Sequence, residues 1–147
     1  MCRLRKFLFS ALSGYDSTAA RTDMAEFLAM VGRPRGIHLC GKPDWDFLLN
    51  LDLDILSLNV YLNGAIFANY AQSIKRFLDR GGVIAWGLVP TNFEPFAIEN
   101  AQSLTGRLEE IWSILRSKGI DRDLMLARSL PIPRHLLPGE SGRRKDG

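Results

Sequence analysis

Four short apolar segments, FLFSALS (7–13), GIHLCG (36–41), DILSLNV (54–60) and GGVIAWGLVP (81–90), are spaced so that a helix fits between each pair, and a fifth, LMLARSLPI (124–132), follows. Nearly continuous apolarity over so few residues is how a strand buried on both faces reads. The intervening stretches carry helical spacing instead. Ala19, Met24, Phe27, Leu28 and Met30 follow a cap at Asp16 or Ser17, and Pro43 opens a short helix through Trp45, Phe47 and Leu48. Ile66, Phe67, Tyr70, Ile74, Phe77 and Leu78 form a stripe over 65–80 that stops at Gly81 and Gly82. Leu104, Leu108, Ile111, Trp112 and Leu115 form another over 103–118, closed by Gly119. Strand alternating with helix predicts a parallel sheet covered by helices, the α/β class.

Two architectures satisfy that pattern, an open doubly wound sheet and a piece of a (β/α)8 TIM barrel. No G-x-G-x-x-G and no GxxxxGK[ST] follows any strand, which removes the commonest reasons for the open sheet. Polar or unusual residues gather at the C-terminal ends of successive strands: His38 and Cys40, Ser57 and Asn59, Trp86 through Thr91, and Ser129 to His135. Barrels build their active sites there. The expectation is therefore a partial (β/α)8 TIM barrel over residues 1–133, about half of the barrel, followed by a basic, disordered tail over 134–147. A complete barrel takes about 250 residues, and this chain has 147. A half barrel exposes two parallel edges, so the chain is either a fragment missing its other half or completes itself by oligomerising, most simply as a homodimer.

Composition narrows the functional classes. The chain is 46% hydrophobic and 24% charged, which suits a globular domain. It has no apolar run long enough for a membrane span. The opening MCRLRKFLFSALSGYDS has a basic start but an apolar stretch at the short end for a signal peptide. Two cysteines, Cys2 and Cys40, provide no disulfide framework, so a reducing cytoplasm is the expected location. The net charge is +3, and Arg143, Arg144 and Lys145 concentrate part of it in the tail. Without aromatic interleaving or a nucleic-acid module, that tail reads as a solvated end and no nucleic-acid partner is expected.

His38 and Cys40 stand at i and i+2, so in a strand both side chains aim at one place. That place is either a metal or a core. Zinc accepts imidazole and thiolate in tetrahedral geometry, and a catalytic site keeps one position for substrate; alternatively the cysteine is a small hydrophobe beside a satisfied histidine. A serine triad is not supported, because no G-x-S-x-G is present and Ser57 has no evident base.

GIHLCGKPDWDFLLNLDLDILSLNVY followed by RGGVIAWGLVPT resembles the C-terminal half of the barrel superfamily shared by cobalamin-independent methionine synthase and uroporphyrinogen decarboxylase, most of all small methionine synthase-like members. The likeness runs over most of 7–135. It implies a zinc-dependent methyltransferase ancestry, in which zinc activates a substrate thiol toward a methyl donor. His38 and Cys40 match the family's H-x-C zinc ligands, and Asn59 falls where zinc methionine synthases have a glutamate ligand. FLFSALSGYD resembles a strand that normally reads D-E-P-x-L-S, with Leu4 to Lys6 in place of the acidic pair. The final T-P-x-C-G-like turn reads SLPIPRHLLPG here, which puts His135 at the position of the last ligand cysteine. The implied metal set is His38, Cys40 and His135, with zinc as cofactor and a small thiol or methyl donor as partner. Two rivals stand beside it: a non-catalytic half barrel for binding or assembly, and a metal-free activity of the uroporphyrinogen decarboxylase kind, which needs a basic cleft from arginines such as Arg21 and Arg35.

Other residues carry weaker chemistry. Asn59 is either a substrate-orienting amide with a catalytic role or a plain cap. The connection GLVPTNFEPFAIENAQS is long against the usual two to six residues or so of a βα loop, and Glu94 is its candidate catalytic acid. Asp44 and Asp46 suit a helix cap, and Trp45 either lines the cleft or packs beneath it. Asp52 and Asp54 precede a strand, at the structural end of such a unit.

Overall fold

A computed structural model describes residues 17–130 of the chain. Three parallel strands, β1 (Gly36–Leu39), β2 (Ile55–Asn59) and β3 (Val83–Gly87), lie side by side in chain order. The register aligns His38 with Ser57 and Ala85, and Leu39 with Leu58 and Trp86. Ser129 adds a single parallel bridge to Ile84 on the far side of β3, through Ile84 N–H to Arg128 O at 2.8 Å and Leu130 N–H to Ile84 O at 3.2 Å. Every crossover moves the sheet one place in the same direction. The fold is α/β, with a small parallel sheet and mostly helices.

The helices are α1 (Ser17–Met30), α2 (Trp45–Leu49), α3 (Val60–Phe67), α4 (Ala71–Asp79), α5 (Phe93–Ile98), α6 (Ala101–Ser117) and α7 (Arg122–Ala127), with a 3-10 turn at Ala68–Tyr70 joining α3 to α4. Their ends follow from local chemistry. Asp44 accepts the Phe47 N–H at 3.0 Å and opens α2, the expected carboxylate cap. Asn100 and Ser103 form a reciprocal capping box on α6. Gly81 (φ 100°) and Gly119 (φ 89°) take the left-handed conformation that ends α4 and α6, with Gly82 N–H on Phe77 O and Ile120 N–H on Leu115 O. Among the described residues no helix is long and apolar enough to cross a membrane.

Three expectations are corrected. The apolar run expected as a strand over 124–132 is mostly helical in its described part, 124–130: Asp121 caps the Asp123 and Leu124 N–H groups, Arg122–Ala127 coil into α7, and only Arg128 to Leu130 hydrogen-bond along the sheet, at Ile84. The helix expected from 65 begins at Val60, because Asn59 caps it directly from the strand end. The long connection after β3 is not bare loop, since it holds α5. The segment 7–13 and the tail 134–147 lie outside the described residues, so the domain limits rest on sequence alone.

Burial is one-sided. Leu39, Leu56, Leu58, Ile84 and Trp86 point from the sheet into the helical layer and are buried, while the alternating residues His38, Ile55, Ser57, Asn59, Val83 and Ala85 face the other way and are exposed or half-buried. Under the buried face Trp45, Phe67, Trp86 and Trp112 meet edge to face in a chain, with centroids 5.1, 6.0 and 5.9 Å apart. Trp45 therefore packs in the core. Burying a large side chain such as Phe67, Phe77 or Leu58 stabilises the fold by about 1.5–3 kcal/mol. The entry ends of β1 and β2 are tied by charge: Arg33 and Arg35 grip Asp52, Arg33 also meets Asp54, and Asp54 accepts the Arg35 N–H at 2.7 Å. The Arg33 guanidinium holds the Asp52 carboxyl below its ordinary range. This is the structural end of the unit, as the sequence predicts.

Candidate functional site

The opposite, C-terminal end of the sheet carries the chemistry. Strand alternation turns His38 toward the face opposite the described helices, and β1 ends one residue later, so Cys40 follows on the same side. His38 Nε2 lies 3.1 Å from Cys40 Sγ. The ring's other nitrogen, Nδ1, lies 2.9 Å from Ser57 Oγ on the neighbouring strand, in the register row that pairs the two residues. With Nδ1–H donating to the hydroxyl, the Nε2 lone pair faces the thiol. Both His38 and Cys40 are exposed. A histidine oriented through its second nitrogen, beside a free thiol on an open sheet face, is a pair of soft donors already pointed at one position.

The donor set fits zinc in part. Zinc–nitrogen and zinc–sulfur bonds of about 2.0 and 2.3 Å at a tetrahedral angle separate the two donors by about 3.5 Å. The observed 3.1 Å is a few tenths shorter, within reach of a side-chain adjustment. Among the described residues, however, no group of three or more His, Cys, Asp or Glu comes together. His135, the expected third ligand, lies outside the described residues.

Asn59 accepts the Leu62 N–H at 3.1 Å through its side-chain oxygen, while Asn63 donates to its backbone carbonyl. Its amide is engaged as the cap of α3, although it sits at the C-terminal end of β2, in the next register row beyond Ser57 on the open face. Glu94 stands exposed in the first turn of α5. Trp86, at the end of β3, turns away from the open face and donates its Nε1–H to Ser129 Oγ at 2.8 Å. Gly87 beside it is required by the sheet itself, since a Cβ there would come 2.7 Å from Leu58 O.

The chain matches no family model, no curated protein and no solved structure.

Sequence reasoning missed two features of this end. Ser57 reads as an unassisted hydroxyl in the sequence, and only the register of β1 against β2 shows that it orients His38. Nor does any sequence pattern single out Glu99. Its carboxylate accepts from Tyr61 Oη at 3.0 Å, from Arg107 Nε at 3.0 Å and from the Ser103 hydroxyl, and its side chain is only 6% exposed. The Ser103 hydroxyl first, with Tyr61 and Arg107, holds Glu99 below the ordinary carboxylate range, and Glu99 in turn raises the Tyr61 phenol. The cluster ties α3, the end of α5 and α6 together. Its one local signal was the Asn100-x-x-Ser103 box immediately after Glu99.

Proposed function

We propose that the chain is a partial (β/α) barrel of the kind shared by cobalamin-independent methionine synthase and uroporphyrinogen decarboxylase, and that His38 and Cys40 are two ligands of a zinc site serving methyl transfer to a thiol. The observation that carries this reading is the His38–Cys40 contact on the uncovered face, oriented by Ser57. Strands that follow one another in a single direction, with the described helices on one side only, suit an arc of a barrel. When bound, zinc would lower the pKa of a thiol substrate and hold it as a nucleophile. His38 and Cys40 would hold the ion, Ser57 would fix the imidazole, and Asn59 stands at the rim.

Of the two rivals, the decarboxylase-like activity is weakened because Arg35 is held at the opposite end of the sheet by Val31 O and Asp52, and Arg21 lies over the Phe47 ring. The non-catalytic assembly domain predicts a folded chain that takes up no metal at Cys40. Titration with cobalt(II) separates it from the zinc reading. A thiolate-to-cobalt charge-transfer band is expected in the wild type, lost in Cys40→Ala and weakened at least tenfold in affinity in His135→Ala. A folded wild type without the band would overturn the assignment.

A further inference from the structure

Asn59 has two chemically different ends at the rim of the sheet, and only one is engaged. Its side-chain oxygen accepts the Leu62 N–H at 3.1 Å as the cap of α3, and its backbone carbonyl accepts from Asn63. The amide nitrogen sits on the same carbon as the capping oxygen, so it is turned away from the Leu62 N–H, and among the described residues it donates to no acceptor. Two N–H donors on a half-buried side chain are thus left for something else.

Position links this donor to His38 and Cys40. On β2, Asn59 shares a face with Ser57, two residues and roughly 7 Å along the strand. Because His38 pairs with Ser57 and Leu39 with Leu58, Cys40 leaves β1 level with Asn59, one strand spacing of about 5 Å away. Cys40 Sγ is in turn 3.1 Å from His38 Nε2. Imidazole, thiol and amide therefore border one corner of the sheet. On the β3 side Asn59 pairs with Gly87, which has no side chain to occupy the amide. Asn59 also stands at the N-terminus of α3, where the helix dipole favours negative charge.

We infer that the thiol substrate carries a carboxylate and that the Asn59 amide N–H donates to it, which makes Asn59 the residue that selects the substrate class. The inference rests on the metal reading of His38 and Cys40 and adds to it the chemistry of the molecule that joins them.

The test is to load the full-length protein with cobalt(II) and titrate it with 3-mercaptopropionate, 2-mercaptoethanol and 2-mercaptoethylamine, following the visible bands of the cobalt. The wild type is expected to bind 3-mercaptopropionate at least about tenfold more tightly than 2-mercaptoethanol, as befits one hydrogen bond to a charged group, and 2-mercaptoethylamine least tightly. Asn59→Ser keeps a capping oxygen and removes the amide donor. It should lose the preference for 3-mercaptopropionate and keep its affinity for 2-mercaptoethanol. Asn59→Asp sets a carboxylate against a carboxylate and should reverse the preference. A cobalt-loaded wild type with no preference for 3-mercaptopropionate, or a folded Asn59→Ser that retains the full preference, would overturn the inference and leave the metal reading standing. A folded wild type that takes up no cobalt would overturn both.

Discussion

Gly87 shows how closely the sheet is fitted at its functional end. A methyl group there meets a backbone carbonyl, Leu58 O at 2.7 Å, and backbone cannot rotate out of the way. Gly87→Ala is expected to destabilise the fold by about 1–3 kcal/mol, measured as a shift of the urea midpoint at unchanged slope; no shift would mean the strands can separate there. Asn59 allows its two roles to be parted. Asn59→Asp preserves the cap and should leave stability nearly unchanged, whereas Asn59→Ala should cost about 1 kcal/mol. If both variants retain the cobalt band, the side chain serves the helix rather than the metal. Legibility at this scale depended on distance along the chain. The His38–Cys40 pairing follows from alternation two residues apart, but the Ser57 contact depends on register between strands 19 residues apart, which no local pattern encodes.

Element boundaries were legible wherever a cap or a glycine marked them. Asp44 starts α2, and Gly81 and Gly119 end α4 and α6 where the sequence predicts, because each end is set by chemistry within a few residues. The 124–132 run misled because a short apolar stretch suits a strand or a helix equally, and Asp121 decides for the helix. The Glu99 cluster is a polar join between α3, α5 and α6, and its depressed carboxyl gives it a pH dependence. A lowered folded-state pKa contributes stability that is complete above the ordinary carboxylate value of 4.5 and is lost as pH falls through the folded value. Thermal melts of Glu99→Gln should therefore start lower than wild type at neutral pH and converge with it on acidification below that value. A constant gap between the two across the acid range would show that Glu99 acts through packing instead.

Among the described residues, helices cover one face of the parallel sheet and leave the other half-buried, whereas parallel sheets are ordinarily buried on both faces. The near-continuous apolar segments pointed to two-sided burial, yet the described residues supply helices to one side only. The open side is where the donors sit, and the exposed helix α5 leaves the same end of the sheet. A half-buried face that carries His38 and Cys40 is what the proposed metal site requires. The α/β class was legible from the alternation of segments; the one-sidedness was not, because it depends on where each helix packs. The most direct measurement is zinc content per chain in tag-free wild-type protein, purified without chelators. The account predicts close to one zinc per chain, and a folded protein carrying far less than one would contradict it.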